Sequence, residues 1–116
     1  MDSQAQPGAQ SEALSQALDR LWVRFLPEIM ERVAIIEATA AAMAAAKSSQ
    51  SERENAEAAA HKLAGILGTF NLMRGTALAR DLEGSFKAED DRVNGEYIAS
   101  LVARLRELIQ SRKSSS

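Results

Sequence analysis

The chain has 116 residues, 46% of them hydrophobic and 26% charged, with a formal net charge of -2 at pH 7, which fits one globular domain with one core. That balance argues against a dedicated nucleic-acid binder, and the absence of cysteine excludes a disulfide, a thiolate nucleophile and a Cys-ligated metal. The start, MDSQAQPGAQSEALSQ, lacks the basic-then-apolar pattern of a secretory signal, and no apolar run approaches the ~20 residues of a bilayer span, so a cytoplasmic protein with no membrane partner is expected.

Residues 1–10 are polar and carry Pro7 and Gly8, the composition of a flexible lead-in. From Leu18 onward, Trp22, Phe25, Leu26, Ile29, Met30, Val33, Ile36, Ala40 and Met43 recur at helical spacing along one stripe. Pro27 lies inside that stripe and predicts a kink or break, hence a short N-terminal helix nearly coaxial with the longer one. KSSQ ends the element. Ser51 with Glu54, or Ser49 with Glu52, reads as the capping box of a second helix, and Asn71 suits its C-terminus. A third helix from about Met73 to Lys87 places Leu78, Leu82 and Phe86 on one side, with Gly75 and Ala79 beside them. The acidic turn AEDD, residues 88–91, follows. The last helix, about Asn94 to Arg112, carries Tyr97, Ile98, Leu101, Val102, Leu105, Leu108 and Ile109 in one stripe. Short connections require antiparallel neighbours. The expected fold is all-α, an antiparallel up-and-down four-helix bundle over residues 11–112, with a flexible tail at 113–116.

The second helix holds the only histidine, His61. At about 100° per residue, Leu63, Ile66, Leu67 and Phe70 gather roughly 140–240° from it and form the core-facing stripe. Glu57, Ala64, Gly65 and Gly68 lie close to the direction of His61, which leaves the imidazole on a cleared face. Two glycines inside a helix cost about 1 kcal/mol each relative to alanine, a cost usually tolerated where something must come close.

The residue inventory narrows the chemistry of such a histidine. A hydrolytic triad needs a converging nucleophile, base and acid, and no serine neighbourhood suggests one. With no second His and no Cys, no metal site is expected; Glu89, Asp90 and Asp91 lack the spacing of a calcium loop. No glycine-rich phosphate loop with its lysine is present. Nucleophilic attack by the imidazole remains, and an ordinary imidazole is mostly neutral at pH 7, with a lone pair available.

The segment resembles the histidine phosphotransfer (HPt) domain. The residues that carry the likeness are His61, Leu63, Gly65 and Gly68, then Thr69 and Phe70, with LARDLE (78–83) in the next helix. The resemblance spans roughly residues 14–112. It implies that His61 is a phosphoacceptor, taking a phosphoryl group from the aspartate of a receiver domain or from a histidine kinase and passing it to a response regulator. It implies response-regulator receiver domains and a hybrid histidine kinase as partners, and a carrier without an ATP-binding domain of its own. No cofactor is expected, Mg2+ belonging to the receiver. This chain departs from the family pattern at Ala64, where Lys or Arg is commonest, at Ile66, where a small residue is expected, and at Asn71, where Gly is frequent. Lys62 is the candidate for the phosphoryl oxygens, docking is expected over Ala64, Gly65 and Gly68, and Ile35 and Glu57 are candidate receiver contacts. A monomer is expected. The alternatives are a non-phosphorylated helical interaction module that binds receiver or kinase domains, and a kinase segment phosphorylated directly by an ATP-binding domain encoded elsewhere.

Overall fold

The long apolar stripe at the start of the chain folds as one helix. The computed structural model describes the backbone of residues 2–87 and 91–114 and the side chains of 12–87 and 94–112, and in it α1 runs unbroken over Asp2–Ala44. Pro27 does not divide it. Proline deprives the carbonyl four residues earlier, that of Val23, of its hydrogen bond, but Pro27 and Val23 are both exposed, so water can take the freed acceptor. The short helix expected before Pro27 is therefore the first part of α1. The backbone of residues 2–10 is helical too, since Gln and Ala are good helix formers.

At about 1.5 Å per residue, the 43 residues of α1 match the 63 Å long axis of the molecule. Its partners α2 (Gln50–Thr69), α3 (Met73–Ser85) and α4 (Asp91–Ser114) are all shorter. The amino-terminal part of α1 overhangs the bundle, and residues 12–16 are exposed. Residues 113 and 114 of the expected tail continue α4. The acidic turn falls on residues 88–90, outside those described, apart from Asp91 at the start of α4.

The helix ends are set by local chemistry. α1 closes with Ala46 in the left-handed region at φ 56, where Ala46 N–H donates to Met43 O at 2.9 Å and Lys47 N–H to Ala42 O at 2.7 Å, the paired bonds of a Schellman motif. Of the two possible capping boxes, Ser49 and Glu52 form the real one. Ser49 Oγ accepts from Glu52 N–H at 3.0 Å, and Glu52 Oε1 accepts from Ser49 N–H at 2.8 Å. α2 ends in a second Schellman motif. Asn71 sits at φ 64, its N–H donating to Gly68 O and that of Leu72 to Leu67 O, both at 3.0 Å.

Each helix packs against its neighbours in the chain and α1 closes the ring against α4, with no diagonal contact among the described residues. The core holds Ile29, Val33, Ile36 and Met43 of α1, Leu63 and Leu67 of α2, Leu82 of α3, and Ile98, Leu105 and Ile109 of α4. Tyr97 is half exposed rather than in this stripe, because it lies about 100° from the stripe's centre. Phe25 is also at the margin, its ring edge meeting Phe70 at 6.1 Å between centroids. Trp22, buried, also meets Phe70 edge to face, at 5.2 Å between centroids, and the Arg112 guanidinium lies 5.4 Å from the Trp22 ring. Among the described residues, no helix is long and apolar enough to cross a membrane.

Besides the Arg112–Trp22 contact, α4 meets α1 closely at Gly95 and at Arg106. At Gly95 the backbones meet: a Cβ there would lie 2.8 Å from Ala44 Cα and 2.9 Å from Ala40 O, so only glycine fits without displacing a helix. Farther along, Arg106 donates two hydrogen bonds, at 2.8 and 2.7 Å, to the two carboxylate oxygens of Glu37, a bidentate pair. These bonds from Arg106 hold the Glu37 carboxyl below its ordinary pKa, burial opposing them and the charge of Arg106 adding to them. The folded state thus favours ionised Glu37. The stabilisation is complete above the ordinary glutamate value and is lost as pH falls through the lower folded-state value.

Trp22, the only tryptophan, provides a fluorescence signal for unfolding. Gly95→Ala is expected to lower stability by roughly 1–3 kcal/mol through overpacking, although helix propensity alone would raise it by about 1 kcal/mol; urea denaturation decides the sign. Ala46→Gly should stabilise by about 0.5–1 kcal/mol, because it relieves a left-handed alanine at some cost in unfolded-chain entropy. Glu37→Gln should cost at most about 1 kcal/mol at neutral pH, as expected of a largely solvated pair, and unfolding curves of the variant and wild type should converge as pH falls below the ordinary glutamate range.

Candidate functional site

The site is built across the α2–α3 hairpin. In α2 the buried residues are Ala56, Ala59, Ala60, Leu63, Ala64 and Leu67, an arc that reaches within about 60° of His61. That arc is displaced from the expected stripe toward α3. Ala64 is consequently buried, not part of an open face, while Ile66 is only partly buried. Alanine fits either environment, so its side chain carried no signal of which face would be covered.

His61 itself remains outside, with 73% of its side-chain surface exposed. Its Nδ1 lies 3.0 Å from Glu83 Oε2, across the hairpin on α3. An ionised carboxylate only accepts hydrogen bonds, so in the neutral ring Nδ1–H is the donor of this bond and the lone pair lies on Nε2. Glu83 is a quarter exposed, which leaves the carboxylate half-sheltered beside the ring.

His61 and Glu83 border an open depression of about 480 Å³. From α2, Ala64 and Gly65 contribute to its floor; from α3 and the turn after it come Arg80, Gly84 and Lys87. A Cβ at Gly65 or at Gly84 would meet no atom within 4 Å, so neither glycine is required by packing. Glu57, one turn before His61, is partly buried and pairs with Lys87, Nζ to Oε2 3.5 Å.

The remaining expected site residues lie elsewhere. Lys62 is exposed but does not line the depression. Gly68 is exposed on the surface of α2, where a Cβ would lie 3.7 Å from Thr76 Oγ1. Ile35 is 37% exposed on α1, outside the depression. The sequence named Arg80 and Glu83 only within LARDLE and Lys87 only as the end of the third helix, and assigned none of the three a place beside His61. One signal was available: a tight hairpin turn at Asn71 pairs residues at similar distances on either side, and His61 and Glu83 are such a pair.

The arrangement presents an exposed imidazole with one ring nitrogen bonded to a carboxylate and the other unengaged, beside a depression that two cations also line. Among the described residues, no group of three or more His, Cys, Asp or Glu side chains could hold a metal ion. No curated protein and no solved structure gives a significant match. The Hpt domain family matches residues 20–114, a span that contains the whole hairpin and most of the bundle. Members of this family are phosphotransfer carriers, not kinases, and they interact with receiver domains and kinases in phosphorelay signalling. On that match, the chain belongs to the Hpt domain family.

Proposed function

We propose that His61 is the phosphoacceptor of a cytoplasmic phosphorelay carrier, taking its phosphoryl group from a receiver aspartate or a histidine kinase and passing it to a response regulator. The observation that carries this reading is the held imidazole: Nδ1–H is directed to Glu83 at 3.0 Å, and Nε2 is left free on an exposed ring.

The chemistry balances without a further group on this chain. Nε2 forms the N–P bond as the acyl phosphate's O–P bond breaks, and the aspartate leaves as a carboxylate. The ring gains positive charge in that step, and Glu83, already bonded to Nδ1–H, stabilises it. Return of the phosphoryl group reverses each bond change. Mg2+ and the acidic pocket are assigned to the receiver, so this protein contributes the nucleophile, its orientation and a docking surface. The open floor at Gly65 and Gly84 lets a second protein bring its aspartyl phosphate in line with Nε2.

Glu57 is better explained by its pair with Lys87 than by contact with a receiver. Ile35 remains available as an apolar contact for a partner that also covers α1.

Incubation with a phosphorylated receiver domain is expected to transfer phosphate to the wild-type chain in a form labile to acid and stable to base. His61→Gln should abolish it. Undiminished labelling of that variant would overturn the assignment, and receiver binding without any labelling of the wild type would support the interaction-module alternative. Glu83→Ala should slow transfer at least about tenfold, the effect of losing one charge-assisted hydrogen bond, while Trp22 fluorescence shows an intact fold.

A further inference from the structure

A phosphoryl group on His61 would bring nearly two negative charges to a place already occupied by carboxylates. Glu83 touches the ring at 3.0 Å, and Glu57 lies one turn away in α2. Like charges this close repel even beside solvent, so cations directed at the phosphoryl oxygens would favour a phosphohistidine here. The third position after the histidine, where the resemblance to HPt domains leads one to expect a basic residue, is Ala64, and Ala64 is buried. Lys62 points away by about 100° and does not reach the depression.

Two cations do line it, and both come from the opposite side of the hairpin. Arg80 precedes Glu83 by three residues and so shares its face of α3. Lys87 follows Glu83 by four, in the turn beyond the helix. Arg80 is exposed, and no ion pair or hydrogen bond among the described residues engages it. Lys87 is held only loosely, its Nζ 3.5 Å from Glu57 and its side chain 62% exposed. Between them Gly84 leaves open surface, where even an added Cβ would meet no atom within 4 Å.

We infer that Arg80 and Lys87 form the cationic wall that receives the phosphoryl group of His61, replacing a basic residue on the histidine's own helix. The inference rests on the phosphoacceptor reading above. In the resting protein Lys87 neutralises Glu57. On phosphorylation it exchanges that carboxylate for a phosphoryl oxygen, while the Arg80 guanidinium, with its planar fork of donors, engages two oxygens. Glu83 retains the ring nitrogen throughout.

The test uses the full chain and a small donor, phosphoramidate, so that no partner's docking enters the measurement. Nε2 attacks phosphorus, the donor's P–N bond breaks and ammonia leaves with the electron pair. Formation and hydrolysis of phosphohistidine are followed by 31P NMR. The double variant Arg80→Met/Lys87→Met should form phosphohistidine at least about tenfold more slowly, the least loss expected when charge-assisted hydrogen bonds from two cations that mature as charge shifts in the transition state are removed. Lys62→Met should leave the rate within about twofold of wild type, a difference too small to reflect one lost hydrogen bond. Arg80→Lys/Lys87→Arg should restore most of the rate, which a purely structural defect would not allow. Wild-type labelling at His61 with an unimpaired double variant, or a defect in Lys62→Met instead, would overturn the cationic wall alone. Absence of wild-type labelling would overturn the phosphoacceptor reading and the wall with it.

Discussion

The register of the α2–α3 hairpin is the constraint on which the site depends. It is fixed by the turn at Phe70–Leu72, where Asn71 takes a left-handed conformation and two backbone bonds return to Gly68 and Leu67. A helix that ran one residue longer would rotate every later side chain by about 100°. His61 would then no longer face Glu83, and the charged depression would not form. The turn is itself held from outside, because Phe70, its capping residue, is buried against Trp22 and Phe25 of α1. Aromatic packing near one end of the bundle thus determines which charged groups meet several turns away.

The helices divide the work unequally. α1 and α4 approach backbone to backbone at Gly95 and are tied by the Glu37–Arg106 pair, a rigid layer behind the site. α2 and α3 use small residues differently. Ala56, Ala60 and Ala64 are buried, while Gly65 and Gly84 are left with open space. Alanine brings the helices close enough for His61 and Glu83 to bond; glycine keeps the ground beside them clear. The imidazole therefore belongs to a firm scaffold and still projects into solvent.

Much of this was legible in the order of residues, and the exceptions have physical causes. Large apolar side chains such as Leu63, Leu67 and Leu105 announce the core by their spacing, and Ser49–Glu52 and Asn71 announce helix ends by their hydrogen-bonding chemistry. Ala64 announces nothing, since a methyl group is at ease on either side of a helix. Pro27 signals a break that its exposed position made unnecessary. Gly95 reads as a helix weakness until the backbone of α1 is seen against it. Arg80, Glu83 and Lys87 were the costliest omissions: a charged residue looks solvated in any one helix, and only the pairing of two helices shows that three of them share a depression with the histidine. The histidine could be singled out because it is alone and because the glycines beside it have no purpose in a helix interior.

The bond from Nδ1–H to Glu83 also bears on the direction of exchange. It fixes one ring nitrogen, so a proposed donor and a proposed acceptor must both use the other, on the same open face and along the same line of approach. A carrier of that kind has no separate entrance and exit, and it cannot engage both partners at once. In the proposed relay, the way phosphate flows would then be set outside the protein, by the relative free energies of the aspartyl phosphates it meets and by their abundance. On the proposed reading the histidine would act as a two-way valve, its bond to Glu83 serving the charging of a regulator and its draining alike.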